Sequence, residues 1–140
     1  MTKCFVDTSG FVALYHRNDA SHEQAKGIWV SLRKRQAVLY TSRDVISETV
    51  TLVHRRTGHR QAVICGDDLW GSPVLDILRS DARQDQEAWE LFQKHSDKDF
   101  SFVDCLSFVM MKELRIQLAF TLDKHFVQAG FAMAQPDPSS

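Results

Sequence analysis

The sequence predicts a single α/β domain, a parallel sheet flanked by helices. Three observations predict it. Five short β-rich runs alternate with longer segments whose apolar residues recur at helical spacing. Two of those runs end at an aspartate, at the strand end where parallel sheets place their sites. A chain of 140 residues is long enough for one hydrophobic core, and no repeat, low-complexity tract or linker divides it. The domain is expected over residues 1–135, with the Pro- and Ser-rich residues 136–140 as a disordered tail.

Each element has its own signal. Residues 3–6 read as a short buried strand. Thr8 or Ser9 then caps a helix that runs to about Arg17, with Phe11, Val12, Leu14 and Tyr15 apolar. Ser21 and Gln24 form a capping-box pattern for a second helix carrying Ala25, Ile28, Trp29 and Leu32, which closes on Arg33, Lys34 and Arg35. Residues 37–41 are β-rich. A third helix starts near Arg43 and stops at Gly58. Residues 60–69 are helical but expected to be broken by Gly66, ahead of Gly71 and Pro73. Residues 74–78 read as a strand and 81–95 as an amphipathic helix through Ala82, Ala88, Leu91 and Phe92. Ser101 opens a helix, apolar nearly all round, that reaches about Leu114. Residues 116–122 and 131–134 complete the set as strands.

Composition excludes several classes. Apolar residues make up 44% and charged residues 25%, the balance of an ordinary globular protein. Lys plus Arg total 17 against 18 acids, for a net charge of -1, so any nucleic-acid-binding surface must be local. Cys4, Cys65 and Cys105 form no C-x-x-C pair, and two lie in apolar runs, which fits reduced, buried thiols in the cytoplasm. No run is long and apolar enough for a membrane span, and the N-terminal run reads as a strand rather than a signal peptide. There is no Walker loop, G-x-G-x-x-G or G-x-S-x-G. His54 and His59, five apart around Gly58 and without paired cysteines, argue against zinc.

Four acids stand in apolar sequence: Asp7 after Cys4-Phe5-Val6, Glu48 within a helical apolar segment, Asp104 after Phe102-Val103, and Asp123 after Phe120-Thr121-Leu122. Each has an ordinary explanation. Asp7 can be a helix N-cap, Asp104 the N3 member of a capping box with Ser101, Asp123 a turn residue, and Glu48 a partner of Arg43 or Arg55. Taken together, one hard-cation site is more economical. Carboxylates about 4 Å apart repel by roughly 4 kcal/mol at an effective dielectric of about 20, so either their pKa values rise or a cation neutralises them. Mg²⁺ or Mn²⁺ takes oxygen ligands and suits phosphate chemistry. The basic clusters at 33–35 and 54–56, with Arg60, sit at helix ends, where the dipole favours them; phosphate contact is the alternative.

The ordered set Val6-Asp7-Thr8-Ser9, Glu48, Asp99 through Cys105, and Thr121 through Phe126 followed by Gly130-Phe131 resembles PIN-domain proteins, most closely the VapC-type toxins of bacterial and archaeal toxin–antitoxin pairs. Residues 59–98 carry no motif in common with them. The resemblance implies a Rossmann-like sheet and a Mg²⁺- or Mn²⁺-dependent endoribonuclease. In it Asp7, Glu48, Asp104 and Asp123 would be the catalytic, metal-binding acids, oriented by Thr8 or Ser9 and by Ser101. It also implies a homodimer and a small antitoxin partner, for which Phe11, Leu14, Tyr15, Ile28 and Trp29 can offer a groove. The other readings are a PIN nuclease of RNA maturation and a PIN-like module that binds RNA or protein without cutting.

Overall fold

The structure, a computed structural model, describes residues 1–138. Its five strands are β1 (Lys3–Val6), β2 (Val38–Ser42), β3 (Leu75–Leu78), β4 (Leu118–Phe120) and β5 (Ala132–Met133). They form one sheet in the order β3-β2-β1-β4-β5, and every neighbouring pair is parallel. The helices are α1 (Thr8–Tyr15), α2 (His22–Lys34), α3 (Arg43–Thr57), α4 (His59–Trp70), α5 (Ala82–Lys94), α6 (Phe102–Glu113) and α7 (His125–Gln128).

The strand order fixes where a site can form. The chain moves outward from β1 through β2 to β3, then returns to place β4 on the other side of β1. A crevice opens outside the carboxyl ends of the strands at such a reversal, here between β1 and β4. In register, Val6 pairs with Phe120, so the residues that follow each strand emerge side by side. Central β1 is covered on both faces: Cys4, Phe5 and Val6 are fully buried. Helix α6 is buried continuously from Asp104 to Met111, as a helix apolar all round must be. Helix α1 comes so close to β4 that a Cβ on Gly10 would lie 2.8 Å from the Phe120 carbonyl oxygen.

Local departures from expectation have physical causes. Gly66 does not break α4; a glycine inside a helix costs only about 1 kcal/mol relative to alanine, and the packing of α4 on α3 overrides it. Helix α1 ends at Tyr15, where His16 turns extended. The Ser21–Gln24 capping box is not made; the Asp19 carboxylate accepts the Ser21 N–H at 2.8 Å instead. Gly58, at φ 101°, closes α3 and opens α4 in a conformation that a side chain would strain. Of the tail, Pro136 is half-buried near Gly27, while Ser139 and Ser140 lie outside the described residues.

Candidate metal centre and active-site cleft

Asp7, Glu48, Asp104 and Asp123 all line one cleft of about 500 Å³ at the carboxyl edge of the sheet. Three different devices bring them there. Asp7 is the first residue after β1, and Asp123 lies just beyond β4. Asp104 sits in the first turn of α6. Glu48 projects from the second turn of α3, which opens directly from β2, and Leu52 and Arg56 continue the same helical stripe along the cleft wall.

Asp7 is 4% exposed, and its side chain makes no cap on α1. Its Oδ2 instead accepts hydrogen bonds from Ser9 Oγ at 3.1 Å and Thr121 Oγ1 at 3.0 Å. Those hydroxyls also receive backbone N–H groups of the β4 exit: Leu122 donates to Ser9 Oγ at 2.9 Å and Asp123 to Thr121 Oγ1 at 3.0 Å. One small network thereby ties Asp7 to the loop that carries Asp123. Burial, and next the charge of Asp104, push the Asp7 carboxyl up to about 6, against the pull of the Thr8 amide and the two hydroxyls.

Asp104 serves two structures at once. It completes a reciprocal capping box with Ser101: Ser101 Oγ accepts the Asp104 N–H at 3.0 Å, and Asp104 Oδ2 accepts the Ser101 N–H at 3.1 Å. The same Oδ2 lies 2.9 Å from His125 Nδ1, and Asp123 Oδ2 is 3.0 Å from that nitrogen. Two carboxylate acceptors favour the tautomer with the proton on Nδ1. Burial raises the Asp104 carboxyl above the usual range, partly offset by the Ser101 N–H and by His125. The ligand atoms of Asp104, Asp123 and His125 lie within 4.8 Å of one another. Asp7 and Glu48 share the cleft but stand outside that tight group.

The donor set fits a hard divalent cation. Among the described residues, no Lys or Arg pairs with any of the four acids; Glu48 meets neither Arg43 nor Arg55, and Arg56 in the cleft wall pairs with Asp19 at 3.9 Å. The buried Thr8 Oγ1 has no hydrogen-bond partner among the described residues. Oxygen donors, uncompensated charge and a carboxyl already pushed upward are the conditions that a divalent ion relieves.

His125 lines the cleft, and the buried Thr121 supports it from behind by its bond to Asp7. Its short-range signal is the Thr-x-Asp turn, but its bond to Asp7 spans 114 positions. The link of His125 to Asp104 was not legible, because it depends on how α6 meets the β4 exit. The cluster at 33–35 ends α2 just before β2 begins, which puts it at the amino edge of the sheet, away from the cleft.

A parallel sheet with a reversal beside its central strand and an acidic crevice at that point defines the architecture, and comparison supplies the class. The model of the PIN domain matches residues 4–132, so this chain belongs to the PIN-domain family. Within that family it is a VapC-type nuclease. It is 39% identical over 133 residues to the 23S rRNA-specific endonuclease VapC20 of Mycobacterium tuberculosis, covering 95% of this chain and 98% of that protein. The crystal structure of VapC20, described as a sarcin–ricin loop cleaving toxin, superposes with a TM-score of 0.89 at 38% identity, over 95% of this chain and 99% of that one. A VapC ribonuclease of Archaeoglobus fulgidus is 27% identical over 115 residues, covering 81% of this chain and 72% of the relative. VapBC2 of Rickettsia felis shares the fold, with a TM-score of 0.70 at 15% identity over 97% of this chain and all of that one.

Proposed function

We propose that this protein is the toxin of a toxin–antitoxin pair and hydrolyses RNA phosphodiester bonds with Mg²⁺ or Mn²⁺ held by Asp7, Glu48, Asp104 and Asp123. The observation that carries the reading is the convergence of four carboxylates on one cleft with, among the described residues, no Lys or Arg paired to any of them. When bound, the metal supplies Lewis acidity toward the phosphate and a more acidic water. The chain supplies orientation. Ser9 and Thr121 fix the Asp7 carboxylate, Ser101 and His125 fix Asp104, and His125 spaces Asp104 from Asp123. Glu48, on the α3 wall, would hold the metal or orient the attacking water, and Arg56 on the same wall can leave Asp19 for a phosphate. The 23S rRNA named for the Mycobacterium relative is the first substrate to try.

The partners follow from surface chemistry. A groove of about 480 Å³ is lined by Phe11, Leu14, Tyr15, Trp29, Leu69 and Leu75, with Ile28 buried in the core. Its apolar lining suits one face of an amphipathic antitoxin helix, and Asp67 and Asp68 offer acceptors to a basic residue on it. A homodimer is supported by an exposed aromatic cluster: Trp89 stacks on Phe92 at 5.7 Å and meets Phe102 edge-on at 6.4 Å. No helix among the described residues is long and apolar enough to cross a membrane, and a cytoplasmic site of action completes the proposal.

The test is incubation of purified protein with total RNA in Mn²⁺, with and without EDTA, followed by mapping of the new ends. Discrete cuts that EDTA abolishes are expected. Cutting that persists in EDTA contradicts the metal mechanism, and no cutting in Mn²⁺ contradicts the nuclease reading.

A further inference from the structure

Among the described residues that line the cleft, His125 is the one histidine. Its ring is held in place by several contacts. The His125 backbone N–H donates to Asp123 Oδ1 at 3.0 Å. The ring packs edge-on against Phe100 at 5.7 Å. Its Nδ1 stands 2.9 Å from Asp104 Oδ2 and 3.0 Å from Asp123 Oδ2. That nitrogen has one in-plane position for a proton or a ligand, so a single N–H cannot point squarely at both oxygens. The two acids must share it.

The same spacing fits an ion. An octahedral divalent ion with ligands at about 2.0–2.1 Å holds adjacent donors about 3.0 Å apart and opposite ones about 4.2 Å apart. Both Nδ1 contacts have the adjacent spacing, and the three donor atoms all lie within 4.8 Å of one another. The carboxylates are fixed in advance. Asp104 Oδ2 also takes the Ser101 N–H at 3.1 Å, and Asp123 gives its other oxygen to the His125 N–H. His125 further lines a pocket of about 250 Å³ with Asp97, Asp99 and Gln128. Carboxylates are common acceptors for the second ring N–H of a ligating histidine. A separate observation also points to a ligand. Thr8, 5% exposed, lines the cleft with an Oγ1 that has no hydrogen-bond partner among the described residues.

We propose that His125 Nδ1 is a direct ligand of the divalent ion, beside Asp104 and Asp123, so that the centre is a mixed nitrogen–oxygen site rather than one of carboxylates alone. On loading, the neutral ring carries its proton on Nε2 instead of Nδ1, and it loses no net proton. A nitrogen donor favours a transition ion over Mg²⁺, which takes oxygen ligands. Of the two candidate ions the site therefore prefers Mn²⁺. This ligand role rests on the metal-dependent function proposed above and deepens it.

The test is the electron spin-echo modulation of Mn²⁺ bound to tag-free protein, comparing wild type, wild type grown on ¹⁵N-histidine, and His125→Asn. The asparagine amide keeps an N–H donor for the two acids but offers no nitrogen lone pair. Wild type should show the ¹⁴N modulation of a directly bound imidazole. The labelled protein and His125→Asn should both lose it, and the label serves even if the variant does not fold. In equilibrium titrations His125→Asn should raise the Mn²⁺ Kd roughly tenfold or more, and the Mg²⁺ Kd by clearly less. Bound Mn²⁺ without ¹⁴N modulation in wild type overturns the proposal and leaves His125 as a hydrogen-bond donor that positions two acids. Equal weakening of both ions in the variant also overturns it, since lost orientation alone would produce that. Modulation that survives the histidine label does so too, because another nitrogen would then be the ligand. In each of these cases the metal-dependent function still stands. If wild type binds no Mn²⁺ at all, the metal mechanism itself fails, and the ligand role falls with it.

Discussion

Without metal, Asp7 is a side chain that costs stability when ionised. Its carboxyl is raised from 3.8 to about 6, chiefly by burial and then by Asp104. Below pH 4 it is protonated in both the folded and the unfolded chain, and there is no penalty. Between about 4 and 6 the unfolded chain releases its proton first, so stability falls as pH rises. Above 6 the loss levels off at about 3 kcal/mol. Asp104 shifts in the same direction and steepens the fall. Metal-free Asp7→Asn should therefore be more stable than wild type at pH 7.5 by up to about 3 kcal/mol, with the two converging near pH 4 in urea melts. A difference that does not change with pH would contradict the buried-charge account. Asp104 calls for a different comparison, because it is both cap and candidate ligand. Ser101→Ala removes the cap acceptor and should cost about 1 kcal/mol while cutting persists. Asp104→Asn should abolish cutting at similar stability. Comparable activity in the two would reduce Asp104 to its capping role.

At the scale of elements, the fit of α1 against β4 sets the position of Asp7 and Ser9. A methyl group on Gly10 would meet the Phe120 carbonyl oxygen at 2.8 Å, and backbone cannot yield as a flexible side chain does. Gly10→Ala should cost about 1–3 kcal/mol and lower cleavage, since Asp7 and Ser9 move with the helix. Gly66→Ala is the contrast. Its Cβ would sit 3.6 Å from Val50, an ordinary contact inside a helix, and the change should gain up to about 1 kcal/mol. Denaturant midpoints of the two variants should move in opposite directions; a shift of the same sign would contradict the packing described. These elements also mark where sequence was informative. All five strands were legible from their β-rich runs, and Glu48 from its helical period. The α7 turn was not, because four residues carry too little periodicity. Nor could the sequence show whether Ser21 or Asp19 would cap the entry to α2, since both offer side-chain acceptors within a few residues. Thr121 was hidden for another reason: its role depends on the register of β1 against β4.

For the whole molecule, the sheet assembles a cation site that the unfolded chain lacks. A ligand that binds only the folded form stabilises it by about 2.7 kcal/mol at a hundred times its dissociation constant, or roughly 9 °C in Tm for a chain of this size. Mn²⁺ should produce such a rise in wild type and little in Asp7→Asn. The aromatic cluster on α5 and α6 belongs to this scale too. Trp89→Ala/Phe92→Ala should shift the protein toward monomer in light scattering while leaving its Tm at low concentration near wild type. An unchanged mass would remove that cluster from any dimer contact. The convergence of the four acids was legible because two follow strands and two lie on helices that open at the same sheet edge. The His125 bridge between Asp104 and Asp123 was not, since it needs the three-dimensional meeting of α6 with the β4 exit.

The proposed function rests on one cleft, built from Asp7, Glu48, Asp104 and Asp123, for metal-dependent RNA cleavage. The most direct measurement is the Mn²⁺ dependence of RNA cutting by wild type and by Asp7→Asn, Glu48→Gln, Asp104→Asn and Asp123→Asn, each first shown to be folded. Wild type should cut with a saturable Mn²⁺ dependence and stop in EDTA, while all four variants lose at least about 3 kcal/mol of transition-state stabilisation, a factor of over a hundred in kcat/KM. Wild-type rates in any one folded variant would remove that residue from the site. Wild-type rates in all four, or cutting by wild type in EDTA, would contradict the account as a whole.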